Sequence, residues 1–589
     1  MYGSPGRYYP DEYAVLPYSE GITQRRRCMK TTIEQKVRQI YGDESGGRIY
    51  QDLQERMSRV SIRPKKSDID ERTAIAITYG DHIQSKGTSA LQSLQGFFAE
   101  EFHDLMSHVH ILPFYPYSSD DGFSVIDYTA VDPKLGDWDD IRHFSEKFGL
   151  MFDFVLNHIS AKSEWFQAFL RDDPDYKDFF IVMDPATDLS MVRRPRTSPL
   201  LTPFETPSGT KHVWTTFSDD QIDLNYANPK VFLAMIDVLL TYVQQGADFI
   251  RMDAITYLWK EVGTESVHHE NTHLIAQLFR DILDEVAPHV RIITETNVPH
   301  HENISYFGDG HNEAHGVYNF ALPPLLLHTL QTGDKAAFDT WASTLELPSD
   351  DTFFFNFTAS HDGIGVTPVK GILSPDEIAG MIERVDQHGG LVSYKTTASG
   401  NLEPYELNTT YYNALSSPDD DAMLADARFM VSQAIMLAMK GVPGVYFGSL
   451  VGNKNWQEGP EKLGYNRAIN RQKLLLGRDI DSDGLNDPTN ERGRIAVAYK
   501  KLLAARTSEP AFSPRAAMEI LTIHPSVVAI RRTAGEHDVI ALHNITNETI
   551  SYELAGEWHD LLADEFSADG GMLLSPYGVK WLKRSADKQ

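Results

Sequence analysis

Cysteine is almost absent from this chain. Cys28 is the only one in 589 residues, so no intrachain disulfide and no cysteine-built metal cluster can form, and a reducing compartment fits. Long apolar runs are missing as well. No stretch of about 18 apolar residues occurs, which argues against a membrane-spanning helix. Residues 1–20, rich in Tyr, Pro and Gly, have no apolar h-region and do not read as a signal peptide, so a cytoplasmic location is expected. Basic residues are in deficit: 54 Lys and Arg stand against 83 Asp and Glu, for a net charge of −29. Such a chain repels nucleic acid and anionic membranes, and neither is expected as a partner. The acidity suits solubility and also a salt-adapted cytoplasm.

What is present is an ordinary globular composition, 41% hydrophobic and 23% charged, with length enough for a large core. Apolar runs at 74–79, 109–114, 150–156, 248–252, 290–294, 318–322, 352–357 and 444–447 read as buried strands, with helical patterns such as 229–245 and 272–286 between them. Eight such runs alternating with helices predict an α/β fold, a (β/α)8 TIM barrel. Residues 1–70 read as a poorly ordered arm (1–30) followed by one or two amphipathic helices, whose Arg56, Arg59, Arg63, Lys65 and Lys66 form a solvated face. The barrel then runs through 71–158, 229–362 and 429–510. A Pro-rich subdomain at 159–228 is inserted after strand three, and a second excursion at 363–428 follows strand seven. Long loops at the C-terminal face of a barrel are usually functional. Residues 511–589 alternate like strands and predict a small C-terminal β domain.

The chemistry is written at the strand ends. Strand three ends in Asn157-His158, strand four in Arg251-Met252-Asp253, strand five in Glu295, and strand seven in His361-Asp362. In a barrel these ends converge on one bowl. Three carboxylates gathered there with two histidines and Arg251 are poor design for stability, since the like-charged carboxylates raise one another's pKa. Arg251, two positions before Asp253, points to the same side of the strand and should keep that carboxylate ionised. Glu295 is then the group suited to general acid/base work, and Asp362 to holding sugar hydroxyls and a positively charged ring. Two carboxyls of unlike pKa are what glycoside cleavage requires.

Phe-x-x-Val-x-Asn-His, Arg-x-Asp, the strand-five Glu and the terminal His-Asp resemble, in order and spacing, the four signature regions of the α-amylase superfamily. The resemblance implies a retaining double displacement with Asp253 as nucleophile, Glu295 as acid/base and Asp362 as transition-state stabiliser, and places His158, Arg251 and His361 around glucose. It narrows to the sucrose-phosphorylase-like subfamily through Ser119-Asp120-Asp121-Gly122-Phe123, Phe320-Ala321-Leu322-Pro323-Pro324, Ser360-His361-Asp362-Gly363-Ile364-Gly365, Asn408-Thr409-Thr410-Tyr411-Tyr412 and Asn466-Arg467-Ala468-Ile469-Asn470-Arg471. By that resemblance Asp120, Phe123, Tyr257 and Arg467 contact glucose, and phosphate rather than water opens the glucosyl-enzyme. Arg196 matches the subfamily's phosphate-binding Arg, whose planar guanidinium suits phosphate oxygens. Tyr405 matches a tyrosine on the acceptor loop.

The chain also departs from that pattern. Pro404-Tyr405-Glu406 stands where sucrose phosphorylases carry Leu-Tyr-Gln, and Thr296-Asn297 follows the strand-five Glu. A remodelled acceptor pocket points away from fructose. Glu406 would accept hydrogen bonds from glycerol and repel glycerate, which ranks glucosylglycerol first as substrate, glucosylglycerate second, sucrose third, and an α-glucosidase or transglucosidase behind them. The implied partners are small molecules: an α-glucoside, inorganic phosphate, α-glucose 1-phosphate and a glycerol-like acceptor, handled by a monomer or homodimer without a cofactor. Asp479 to Asn490 copies the first half of a calcium loop, but Asn490 stands where a bidentate Glu is needed, so the segment reads as an acidic surface turn and no metal is expected.

Overall fold

The computed structural model describes residues 32–62, 68–397, 400–567 and 570–584. The 1–30 arm with Cys28, and Arg63, Lys65 and Lys66, lie outside the described residues. Eight parallel strands close into a barrel: β1 (Ile75–Thr78), β2 (His108–Ile111), β3 (Gly149–Phe154), β4 (Ala247–Met252), β5 (Arg291–Thr294), β6 (Gly316–Tyr318), β7 (Phe353–Asn356) and β8 (Val442–Tyr446). Each pairs with its sequence neighbour, and β8 closes on β1. The strands are buried on both faces, which is why they read as continuous apolar runs rather than alternating ones; all six residues of β4 are buried.

The sixth strand lies earlier than the expected 318–322. Gly316 opens it because a Cβ there would meet the Phe353 ring at 2.5 Å. The apolar run after it instead starts the helix Leu322–Thr332, with prolines in its first turn where a missing N–H costs nothing. Phe447, expected to end the eighth strand, begins a short helix, Phe447–Leu450.

Two segments leave the barrel at its C-terminal rim. After β3, His158–Ser160 pairs antiparallel with Gln221–Asp223, and a hairpin, Leu201–Thr206 with Gly209–Trp214, lies between. After β7 comes a three-stranded antiparallel sheet ordered Ile364–Gly365, Leu402–Asn408, Leu391–Thr396, with the helix Pro375–Gln387 beside it. A six-stranded antiparallel sheet beginning at Ala517–His524 and a two-stranded one form the C-terminal β region. At the other end, helices Ile33–Tyr41 and Asp43–Ser58 dock on the barrel's flank, where Lys36 and Asp281 form a buried ion pair at 2.6 Å. Arg56 reaches Asp237 and Arg59 reaches Glu55 across exposed surface. Asp481 caps Ser482–Asn486 and Asn490 caps Glu491–Thr507, so these two side chains of the acidic turn serve helix ends. No helix among the described residues is long and apolar enough to cross a membrane.

Candidate active site

The strand ends meet in one cavity. Of the residues singled out in the sequence, Asp253, Glu295, Asp362, Asp120, Phe123, His158, Tyr257, His361, Arg467, Arg196 and Tyr405 line it. Arg251 and Glu406 do not.

Parallel register builds the floor. Asp153 of β3 pairs across to Arg251 of β4, which pairs in turn with Ile293 of β5. Arg251 is 1% exposed and lies beneath the cavity rather than in it. It bonds Asp153 directly, donates to Asp253 at 2.8 Å and reaches Glu295 at 3.9 Å. His110 holds the other oxygen of Asp153 at 2.6 Å. The backbone turns sharply after the strand: Ala254 is left-handed, with φ of 50°, and its N–H donates to Glu295 Oε2 at 3.0 Å. Asp253 and Glu295 are therefore tied to one guanidinium and to one turn.

The expectation that Arg251 alone keeps Asp253 ionised needs correction. Burial pushes the Asp253 carboxyl well up, Arg251 opposes it, and Glu295 adds to the rise. Burial raises Glu295 too, again against Arg251. One guanidinium divided among three carboxylates does not offset the loss of solvent. Asp362 differs: burial pushes it up, but Arg467 and Arg251 outweigh that and hold it below the usual range. Burial lowers His158 and His361, which are neutral imidazoles here. The Phe123 ring stacks on His361 with centroids 4.7 Å apart and planes 7° from parallel, and its carbonyl lies 2.9 Å from His158 Nε2.

At the outer end of the cavity, the guanidinium of Arg196 lies 5.7 Å from the Phe217 ring centroid and 5.5 Å from that of Tyr405. Its neighbours in the basic run are engaged elsewhere: Arg193 pairs with Glu265 and Glu302, and Arg194 bonds the Ser198 carbonyl. Among the described residues Arg196 forms no ion pair. Burial pushes the Tyr405 phenol up to about 12, and Asn297 meets its oxygen at 3.3 Å.

Tyr405 reaches the cavity through a β-bulge. Ser393 faces Glu406 and Tyr394 faces Pro404, leaving Tyr405 as the extra residue between them. Successive side chains on a regular strand point to opposite faces. The bulge lets Tyr405 face the cavity while the next residue, Glu406, meets Arg467 at its edge. Glu406, expected as an acceptor ligand, lies outside this cavity and borders the open cleft next to it, with Arg196 and Arg467. It is 2% exposed, receives Arg467 through Nε and Nη2 at 2.9 Å each, and accepts the Gly363 N–H.

Asp120 lies 3.5 Å from Arg471, with Asp121 nearer at 3.1 Å; it lines the cavity with Arg467. Sequence reasoning missed Gln221, Phe217 and Asn297 in the lining, and Lys260, whose buried ammonium pairs with Asp223 at 2.7 Å. Gln221 and Phe217 belong to the insertion's return path and carry no local signal. Asn297 stood two residues beyond Glu295, on the same side of an extended chain, which was a usable one.

Residues 105–353 match the family model "Alpha amylase, catalytic domain". A glucosylglycerate phosphorylase of Allomeiothermus silvanus is 47% identical over 92% of this chain and 96% of its own length. The chain belongs to the α-amylase superfamily, in its sucrose-phosphorylase-like subfamily. A second subfamily member, the glucosylglycerate phosphorylase of Escherichia coli, is 45% identical over 94% of this chain and 100% of its own. A glucosylglycerol phosphorylase of Marinobacter adhaerens is 29% identical over 74% of this chain and 87% of its own. Among solved structures, a sucrose 6F-phosphate phosphorylase from Thermoanaerobacter thermosaccharolyticum superposes with a TM-score of 0.72 at 22% identity, covering 85% of this chain and 98% of that one. That likeness is one of fold.

Proposed function

We propose that this protein is a glucosylglycerate phosphorylase, converting 2-O-α-glucosylglycerate and phosphate reversibly into α-glucose 1-phosphate and glycerate. The enzyme class, a glycosyltransferase acting as a glycoside phosphorylase, follows from its subfamily and near relatives. The single observation that carries the choice of acceptor is Arg196, a cation in the cavity wall with no carboxylate partner among the described residues. Phosphate and glycerate are both anions and both suit it. Relatives at 47% and 45% identity bearing the glucosylglycerate name support the same choice over the one at 29%. The ranking that put glucosylglycerol first relied on Glu406 repelling a carboxylate. With both oxygens of Glu406 facing Arg467, that repulsion is neutralised.

In this reading Asp253 attacks the anomeric carbon as the glycosidic oxygen leaves, taking the proton of Glu295. Burial raises both carboxyls, but Asp253 holds the direct bond from Arg251 at 2.8 Å whereas Glu295 stands at 3.9 Å, and on that geometry the proton is assigned to Glu295. Glycerate departs, and a phosphate oxygen attacks the same carbon while Glu295 takes back a proton. Two inversions give the α-configured product. Asp362, held ionised, faces the ring as its positive charge develops. The hydrogen-bonded and stacked groups Asp120, Phe123, His158, Tyr257, His361 and Arg467 hold the glucosyl unit. A reducing, cytoplasmic setting fits the lone Cys28.

The test is direct. The purified chain is incubated with glucosylglycerate, glucosylglycerol or sucrose, with and without phosphate, and α-glucose 1-phosphate is assayed. Fastest phosphate-dependent release from glucosylglycerate is expected. Preference for glucosylglycerol would overturn the acceptor assignment; free glucose as the sole product would overturn phosphorolysis.

A further inference from the structure

The loop after β2 that carries Asp120 is held in an unfavourable backbone. Asp120 and Asp121 are both left-handed, with φ of 51° and 48°, and Gly122 follows at 112°. Residues with a Cβ rarely take that conformation, and two in succession persist only where the surroundings impose it. Gly122 presses on the chain leaving the barrel, where a Cβ would meet the Pro113 carbonyl oxygen at 2.4 Å. Ser119 donates to Asp220 of the insertion at 2.5 Å. The third support is Arg471, whose side chain is fully buried. Its Nη1 reaches Asp121 Oδ2 at 3.1 Å and Asp120 Oδ1 at 3.5 Å, and its Nε donates to the His361 carbonyl at 2.9 Å. The preceding residue, Asn470, donates to the Ser360 carbonyl, also at 2.9 Å. Those two carbonyls belong to the residues just before Asp362. The guanidinium lies near the rings of Tyr79 and Tyr465, each centroid 5.5 Å away, and the Tyr465 hydroxyl bonds Asp121 as well.

We propose that Arg471 is a positioning residue for the glucosyl pocket: one buried guanidinium sets the separation between Asp120 and the strand end that carries Asp362. Nε and Nη1 belong to one rigid plane, so the carboxylates of the β2 loop and the carbonyl beyond β7 are held at a fixed spacing. A lysine, as a point charge on a flexible stem, would not impose that spacing. Arg467 differs, because it lines the cavity and can meet the sugar, whereas Arg471 stands behind the wall. Phe123, at the end of the same loop, stacks on His361 and is carried by the same tie. A sugar hydroxyl far from the reacting carbon meets Asp120 only if the two sides of the pocket keep their distance, and a misplacement of about 1 Å can cost about a hundredfold in rate. This rests on the reading of Asp120 as a ligand of the glucosyl unit.

The experiment uses the full chain with α-glucosyl fluoride and its 4-deoxy and 6-deoxy analogues, at saturating phosphate, and reads fluoride release. Arg471→Met and Arg471→Lys are compared with the parent, each first checked for an unchanged far-ultraviolet spectrum and cooperative melting. In the parent, loss of the hydroxyl that Asp120 accepts should lower kcat/KM at least about 30-fold, since a site built to bond a hydroxyl rejects the sugar lacking it. In Arg471→Met, kcat/KM for α-glucosyl fluoride should fall at least about 10-fold, and the penalty for that deoxy sugar should shrink to within about threefold, because a displaced Asp120 no longer tells the two sugars apart. Arg471→Lys should lie between the two. It keeps the buried charge and provides the test if Arg471→Met does not fold. Damage confined to the fold would slow all three fluorides alike and leave the deoxy penalty at its parent value; that result would overturn the proposal, as would parent-like rates in every folded variant. A parent enzyme that releases all three fluorides equally well would instead refute the reading of Asp120 as a sugar ligand, and one that releases none would refute glucosyl transfer itself.

Discussion

Removing the guanidinium of Arg196 is the perturbation that probes the proposed function most sharply. The side chain lies against two aromatic rings, Phe217 and Tyr405, and has no carboxylate partner among the described residues. Arg196→Ala therefore breaks no ion pair; it removes only the last of four cations that hold Asp362 ionised, and its main effect should fall on the ligand. A charge-assisted hydrogen bond contributes about 1.5–3 kcal/mol, and about 1.4 kcal/mol is a factor of ten. The KM for phosphate should rise about 10- to 150-fold. In the synthetic direction, from α-glucose 1-phosphate, the KM for glycerate should rise by a comparable factor, because one cation serves both anions in turn. Arg196→Lys keeps the charge but loses the planar fork, and should recover only part. Fluoride release from α-glucosyl fluoride should change far less than either KM. The assay is initial-rate kinetics in both directions at constant ionic strength. A phosphate KM within about twofold of the parent would show that the anion binds elsewhere. A rise for phosphate without one for glycerate would separate the two anions and remove the argument for glycerate over glycerol.

Three further outcomes follow from the geometry. Asp253→Ala should lower glucosyl transfer by at least about 10⁴-fold while the chain stays folded, since Arg251 keeps Asp153; substantial residual turnover would remove Asp253 from its role. Arg467→Gln removes the strongest influence opposing burial at Asp362, so the ionised form is disfavoured, its pKa rises, and the acid limb of kcat/KM should shift to higher pH; an unmoved limb would show that Asp362 does not govern it. Lys36→Met removes the ammonium that the buried Asp281 meets at 2.6 Å and should cost up to about 3–5 kcal/mol in denaturant unfolding, part of which Lys36→Met with Asp281→Leu should restore; a single variant as stable as the parent would mean the pair contributes nothing.

The barrel was legible because its strands are buried on both faces and therefore appear as uninterrupted apolar runs. The sixth was misplaced because Gly316 hides a strand start and Leu322 opens a helix. Asp253, Glu295 and Asp362 were readable from their places at strand ends. Depth was not: alternation gives the side on which Arg251 points but not that it belongs to the layer below the cavity. The partner of Glu406 was also hidden. Arg467 lies 61 residues further on, and nothing local marks that a charge at 406 will meet it. Gln221 stands 98 residues from Phe123, whose carbonyl its amide approaches at 3.4 Å, so the lining contributed by the insertion emerges only when the chain returns to the rim.

The extra residue at Tyr405 makes chain length, and not composition alone, a determinant of the acceptor wall. Deleting one residue between Leu402 and Asn408 would bring this strand back into uninterrupted pairing with Leu391–Thr396, and strict alternation would then turn either the phenol away from the pocket or the neighbouring carboxylate away from Arg467. Point substitutions there vary the chemistry within a fixed frame, whereas a single-codon insertion or deletion would change the frame, and with it the set of leaving groups the enzyme can accommodate.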